Sequence, residues 1–304
     1  MVSFCGLELA HPVINGSGTF DVHAARRTFG DALDERFPFA AFVSKTITLE
    51  PREGNPPPRL WETAEGLINS IGLPNRGLEA YMRDEVPLLA NLTAAARSGE
   101  RVPAPLITNV MGASAPELER LVEACDARPE IAAIELNVSC PNVESGLDIG
   151  ADPAELEAVV RATRAHTGKP LIVKLTPNCA DVAACAAGAQ AGGADALSLI
   201  NTLRALALAP AQPARPGADR SKIGQRAPWL GARTGGLSGP AVRAVALAQV
   251  AAVAERVEIP VVGMGGVQTG AHARDLLDVG ATLVAIGTEN FRDPAAAAAI
   301  ARAL

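Results

Sequence analysis

Leu171-Ile-Val-Lys-Leu175, an apolar run broken by one lysine, is followed by Asp181, an alanine-rich stretch reaching Gly192, and a second apolar run, Ala196-Leu-Ser-Leu-Ile-Asn201. The runs have the length of strands buried on both faces, and the stretch between them has that of one helix, capped by an aspartate and closed by a glycine. The unit therefore reads as strand, helix, parallel strand. Outward from it the alternation repeats. Counting apolar runs gives Val13–Asn15, Ala41–Thr46, Leu106–Val110, Ile131–Val138, Leu171–Leu175, Ala196–Asn201, Pro260–Val262 and Leu283–Ile286, eight in all. Eight parallel strands close a barrel, so the expected fold is α/β, a (β/α)8 or TIM barrel.

Helix signals fall between the runs. Ser114-Ala-Pro-Glu117 and Asp152-Pro-Ala-Glu155 each place a capping residue three before a glutamate, the pattern of a capping box. Asp181 and Asp293-Pro294 are further candidate N-caps, while Gly168, Gly192 and Gly280 stand where a preceding helix should end. Two gaps, Thr46 to Leu106 and Thr202 to Pro260, exceed what one helix needs and are expected to carry inserted loops over the C-terminal face. Neither the Glu50–Pro58 segment nor the stretch with Pro210, Pro213, Pro216 and Pro228 should be regular helix.

The 304 residues suffice for one large barrel, and no interdomain linker interrupts them, so residues 1–304 are expected to form a single domain. With 3% aromatic residues the core must be aliphatic. A net charge of −6 without a Lys/Arg run argues against a nucleic-acid surface. The five cysteines, Cys5, Cys125, Cys140, Cys179 and Cys185, contain no CxxC pair, so neither an iron–sulfur cluster nor another metal centre is expected within the chain. The N-terminus lacks a basic signal-peptide region, and no apolar run approaches the ~18–20 residues of a membrane span. A reduced, cytoplasmic protein is expected.

In such a barrel chemistry comes from strand C-termini and the loops after them. Polar residues gather there: Gly16-Ser17-Gly18, Ser44-Lys45-Thr46, Asn109, Asn137 with Ser139-Cys140-Pro141-Asn142, Lys174, Asn201-Thr202, Gly263-Met-Gly265-Gly266 and Gly287-Thr288. A lysine inside an apolar strand, as at Lys174, is costly to bury uncompensated and should face an anionic or electron-rich partner; Lys45 poses the same question. The plainer alternative is an ion pair with a barrel carboxylate such as Glu135. The glycines after the seventh and eighth runs fit a phosphate cradle, although any one of them could serve only a turn. Asn69, Asn109, Asn137, Asn142 and Asn201 present both donors and acceptors, suited to a ligand rich in amide edges. Cys140 opens a loop over the barrel mouth, and a thiol is acidic enough to serve as a base near neutrality. The other four cysteines, in predicted helices or at the N-terminal edge, read as inert. None of the four histidines lies at a strand end, which disfavours histidine catalysis and histidine metal binding.

From about Leu7 to about Phe291 these residues resemble the class 1 dihydroorotate dehydrogenases. The likeness is carried by Asn15-Gly-Ser-Gly-Thr-Phe20, Lys45-Thr46, Arg52-Glu-Gly-Asn-Pro56, Asn69-Ser-Ile-Gly-Leu-Pro-Asn75 and Glu135-Leu-Asn-Val-Ser-Cys-Pro-Asn142. It continues through Val173-Lys-Leu175, Asn201-Thr202, Thr234-Gly-Gly-Leu-Ser-Gly239, Gly263-Met-Gly-Gly-Val267 and Gly287-Thr288. The resemblance implies oxidation of (S)-dihydroorotate to orotate in pyrimidine synthesis, with FMN at the barrel mouth. It makes Cys140 the base for the C5 proton while hydride leaves C6 for flavin N5. It assigns the substrate to Lys45, Asn69, Ser70, Ile71, Gly72, Leu73, Asn137, Asn142, Asn201 and Thr202. It assigns FMN to Ser17, Lys45, Thr46, Asn109, Asn137, Lys174, Ile200, Gly239, Gly265, Gly266, Gly287 and Thr288. Lys174 would sit near the flavin N1–C2=O edge.

A first strand at Val13 leaves no room for the helical anchor of the membrane-attached class. The Ser-Gly-Thr-Phe and Gly-Thr-Glu-Asn-Phe segments look more like the NAD-linked subtype, which implies a homodimeric core and a second subunit carrying FAD and a 2Fe–2S cluster. Two stretches, Val143–Gly150 and Leu203–Arg233, depart from the family pattern. The competing readings are an oxidoreductase of another dihydropyrimidine, a dihydrouridine-synthase-like barrel, which needs a basic face, and a non-redox lyase binding a phosphorylated substrate at the same glycines.

Overall fold

The computed structural model describes residues 1–35, 37–95, 104–138, 149–210 and 226–304. Two short strands, β1 (Val2–Phe4) and β2 (Leu7–Leu9), pair antiparallel at the N-terminus. The sequence reading did not anticipate this hairpin. Its Phe4 and Leu9 are buried against the inward residues Ile14, Val43, Ile107, Ala133, Ile172, Ala196, Val262 and Leu283, and so plug one end of the barrel.

The barrel strands are β3 (Val13–Asn15), β4 (Phe42–Val43), β7 (Leu106–Val110), β8 (Ile131–Asn137), β9 (Leu171–Lys174), β10 (Ala196–Leu199), β13 (Val261–Met264) and β14 (Leu283–Ile286). They form one sheet of eight in the order β3-β14-β13-β10-β9-β8-β7-β4, and every ladder pair between neighbours is parallel. All eight runs counted in the sequence are therefore strands. The second is much shorter than the expected Ala41–Thr46. Only Phe42 and Val43 keep the ladder register with β7; beyond them the chain stays beside β7 through Ser44 and Ile47, which donate to the carbonyls of Ile107 and Asn109, and through an isolated bridge from Ile47 to Val110.

The seam between β3 and β4 shows what replaces ladder pairing. Ala40 N–H donates to Val13 C=O, and the buried Asn15 amide makes two bonds to the backbone of Val43, accepting from its N–H at 2.8 Å and donating to its C=O at 2.7 Å. One side chain thus satisfies backbone groups that a strand neighbour would otherwise pair. Outside the strands, helices pack a second apolar layer that includes Leu118, Leu121, Leu156, Val160, Val250 and Leu276.

Helix signals held with corrections. Asp152 caps Ala154 and Glu155, and Asp181 caps Ala184. Ser114 makes no side-chain cap bond, and the Glu117 carboxylate accepts from the Ala113 N–H, one residue before the cap, so neither bond of that box forms. Asp293 ends the helix Glu289–Arg292, and its carboxylate accepts from Ala295 N–H one residue before Ala296–Arg302 begins. The long gaps also hold more than loops. From the first come β5 (Leu60–Thr63) and β6 (Gly66–Asn69), from the second β11 (Leu203–Ala205) and β12 (Gly235–Ser238). These form a four-stranded antiparallel sheet in the order β11-β12-β6-β5. It has a small core of its own, Ile68, Ala207 and Leu230 with Trp61 and Leu237. Ser238 of β12 accepts from the Thr288 hydroxyl, which places this sheet over the C-terminal ends of the barrel strands.

Candidate active site

Side chains alternate across a strand, so the inner apolar residues identify which polar ones face the barrel axis. Ala133 lies in the inner cluster while Ile134 and Leu136 lie in the outer one, which turns Glu135 and Asn137 inward. The same count from Ile107, Ile172 and Ala196 turns Asn109, Lys174 and Ser198 inward. In register, Asn137 sits beside Lys174 and Lys174 beside Ser198. The strand-end polar residues therefore share one layer above an apolar plug.

Glu135 does not pair with either lysine. One carboxylate oxygen accepts from Asn109 Nδ2 at 2.5 Å and the other from Ser198 Oγ at 2.6 Å. The Asn109 backbone N–H is in turn held by Ser44 Oγ at 3.0 Å. This arrangement fixes the Asn109 amide with its oxygen unused: Asn109 Oδ1 is buried and, among the described residues, has no donor. Lys174 is 6% exposed and, among the described residues, forms no ion pair or hydrogen bond. A buried ammonium in that condition is costly unless an anionic group completes its surroundings. The ion pair with Glu135 thus does not form, and Lys174 faces the barrel axis without a partner among the described residues.

Beside it, Asn137 Nδ2 donates to Thr46 Oγ1 at 3.4 Å, Thr46 Oγ1 lies 3.3 Å from Ser17 Oγ, and Ser17 donates to Ser44 C=O at 2.8 Å. Lys45 is exposed at its strand end, on the wall of a cavity of about 620 Å³ that also touches Gly18 and Thr46. Across the mouth Gly239, Gly265 and Gly266 have φ of +86°, +134° and +71°. A Cβ on Gly266 would come within 2.7 Å of Arg243 Cβ and 3.0 Å of Gly239 C=O, so the three glycines crowd the start of the helix Arg243–Ala254. Thr288 lies against Gly239, and Gly287 against Gly16. Bare backbone at a helix N-terminus is the usual cradle for a phosphate.

The first insertion supplies a half-buried Asn69, whose Nδ2 donates to Gly236 C=O, and the loop Ser70–Leu73. Asn55 holds that loop: its side chain donates to Ser70 Oγ at 3.0 Å and its backbone N–H to Ile71 C=O. Gly72 is required there, with φ +75° and a hypothetical Cβ 2.4 Å from Asn55 N. Asn201 accepts from Thr202 N–H, and Thr202 C=O accepts from Asn178 Nδ2. Ile200 is placed differently from the other candidates: its side chain joins the outer core and its N–H donates to Met264 C=O, so neither is free for a ligand. Cys140 and Asn142 lie outside the described residues. Cys125 and Cys185 are buried in helices, as expected, whereas Cys179 lies in the loop after β9 and not in a helix.

The sequence named Ser44 at a strand end and Asn55 within a motif without giving either a role, and did not single out Asn178 or Ser198; all four hold the groups above. Ser198 within Ala-Leu-Ser-Leu was the most visible signal, a hydroxyl in an otherwise apolar strand. For the others, partners distant in the chain give no local pattern.

The residues present fit FMN: an unpartnered buried cation and an orphaned amide oxygen for a ring system, and a glycine cradle at a helix start for a phosphate. The class defined by this fold and mouth is a flavin-holding barrel oxidoreductase. The family model for dihydroorotate dehydrogenase matches residues 1–304. The chain is 43% identical over 301 residues to "dihydroorotate dehydrogenase B (NAD(+)), catalytic subunit" of Desulforudis audaxviator, covering 99% of this chain and 89% of that protein. Proteins of the same name from Pelobacter propionicus and Geobacter sulfurreducens are each 41% identical, covering 100% and 99% of this chain and 91% and 90% of theirs. The chain belongs to the dihydroorotate dehydrogenase family.

Proposed function

We propose that the mouth of this barrel binds FMN and dihydroorotate through the residues named above, with Cys140 as the base. The reaction, FMN-dependent oxidation of (S)-dihydroorotate to orotate in pyrimidine synthesis, follows from family membership. FMN, when bound, supplies the acceptor for the hydride leaving C6. The chain's own groups do the rest. Lys174 and Asn109 would hold the flavin ring, and a fixed positive charge there would favour its reduced, anionic form. Gly239, Gly265, Gly266, Gly287 and Thr288 would hold the phosphate, and Ser17 and Thr46 would also bind FMN. Lys45, Asn69 to Leu73, Asn137, Asn142, Asn201 and Thr202 hold the substrate's carboxylate and ring amides, and Cys140 takes the C5 proton.

The observation that carries this reading is the buried Lys174 without a partner among the described residues. Purified protein is expected to be yellow and to bleach anaerobically with dihydroorotate. Bleaching with dihydrouracil alone would shift the substrate to an uncharged dihydropyrimidine, and a colourless protein that takes up no FMN would favour the lyase.

We further propose that residues 1–304 are one domain, that two copies form the core of the assembly, and that a second subunit with FAD and a 2Fe–2S cluster relays electrons to NAD in the cytoplasm. The subunit name carried by the relatives supports the second chain. An exposed apolar patch on the antiparallel sheet, Leu60, Leu206, Leu208 and Trp229, supports the self-association. No helix among the described residues is long and apolar enough to cross a membrane. Isolation from the native cell, with sedimentation and iron and FAD analysis, should give two copies of this chain together with a cofactor-bearing partner; a lone monomer free of iron would reject both parts.

A further inference from the structure

The ladder between β13 and β14 runs as far as Met264 opposite Ala285. Beyond that pair both chains carry glycines assigned to the phosphate, Gly265 and Gly266 on one and Gly287 on the other, and the positive φ of the first two keeps their backbone from extending the sheet. Four residues past the last pair on each chain, side chains resume the connection: Gln268 Nε2 donates to Glu289 Oε2 at 3.0 Å. Both ends of this bond are held. Val267 is buried in the outer core and Thr269 caps the helix Gly270–Asp278, which fixes the residue between them. Glu289 is 8% exposed, and its other oxygen accepts from Arg292 Nε at 2.9 Å. The same loop is tied to β12 as well, since the Thr288 hydroxyl donates to Ser238 Oγ at 2.8 Å, next to Gly239.

Resting on the FMN reading above, we propose that Gln268 and Glu289 are positioning residues for the phosphate cradle, holding the glycine loops after β13 and β14 at the separation a phosphomonoester needs. Glycine backbone suits an anion because no side chain shields its N–H groups, but the same freedom is costly when two loops must be ordered around a ligand. A hydrogen bond to a carboxylate is among the stronger kinds. This one orders the two loops before the phosphate arrives, so less of the binding energy is lost to ordering. A carboxylate next in the chain to Thr288 would repel a phosphate if it were unpaired. Here both oxygens face donors, and Arg292 sets a positive charge beside them. The plainer role for Glu289, stabilising the helix Glu289–Arg292 through its dipole, needs neither burial nor Gln268.

The test compares FMN with riboflavin, the same ring without the phosphate, by fluorescence titration of the full-length chain stripped of flavin. Wild type should bind FMN more tightly than riboflavin. Gln268→Leu removes the donor and leaves the Glu289–Arg292 pair in place. It should weaken FMN by about tenfold, the scale of one hydrogen bond to a charged group, while riboflavin affinity changes by less than about twofold. Equal losses for both flavins, or an undiminished preference for FMN, would overturn the proposal.

Exchanging the pair keeps the test sound if the leucine variant does not fold. Gln268→Glu alone sets two carboxylates face to face and should abolish the preference for FMN. Adding Glu289→Gln restores a donor and acceptor in reverse order and should return that preference, in protein whose melting transition shows it folded. A folded double variant without the preference would overturn the positioning role. Failure of the FMN reading has a different signature: wild type itself would then bind both flavins alike, or neither, and the cradle would fall together with its supports.

Discussion

Cys140→Ser protein is expected to keep its FMN and to lose about 10²–10⁴-fold in kcat at neutral pH, the range a positioned proton-transfer group contributes. The reason is acidity. A thiol with an ordinary pKa near ~8.5 supplies some thiolate at neutral pH, whereas a serine hydroxyl in the same place supplies almost none. The substitution removes no group assigned to the flavin, so the yellow colour should remain while bleaching by dihydroorotate becomes slow. A rise in rate with pH should also move to higher pH in the variant. Anaerobic stopped-flow reduction at several pH values reads both quantities, and a near-normal rate at pH 7 would remove Cys140 from its role.

The second large effect belongs to Lys174→Met, and its sign is unusual. Methionine matches the length of the aliphatic stem while removing a charge that has no partner among the described residues. An unpaired buried ammonium is destabilising by several kcal/mol in general, so the FMN-free variant should melt higher than FMN-free wild type, by roughly 2–4 °C for each kcal/mol recovered. The same change withdraws positive charge from the reduced flavin. Turnover should therefore fall by about 10²–10³-fold, the scale of losing one preorganised electrostatic contact. Opposite movements of apoprotein melting temperature and catalysis would identify Lys174 as a group placed for a ligand. A variant whose apoprotein melts lower would show that the lysine serves the fold, and the flavin reading would lose its main support.

Glu135 bears on the same point. Had it paired with Lys174, the lysine would be a structural ion pair, and neither expectation above would hold. Its oxygens are instead taken by Asn109 and Ser198, which leaves the cation without a partner and the Asn109 amide oxygen without a donor among the described residues. The contacts around one buried carboxylate thus separate a site from a scaffold.

The amino-acid sequence by itself determined the number of barrel strands, their alternation with helices, and the polar residues that gather at their C-terminal ends. These were legible because burial on both faces of a strand and the two-residue alternation of side chains are written in local composition. Lys174 stood out for the same reason, as a charge in a run otherwise apolar. Only the tertiary structure decided how β3 and β4 are joined through Asn15, how two insertions more than a hundred residues apart in number become one antiparallel sheet, and which groups Glu135 and Asn55 hold. Each of these is a long-range hydrogen-bonding choice between residues whose own neighbourhoods look unremarkable. Such choices are made by what the fold brings within about 3 Å, and no local pattern records them.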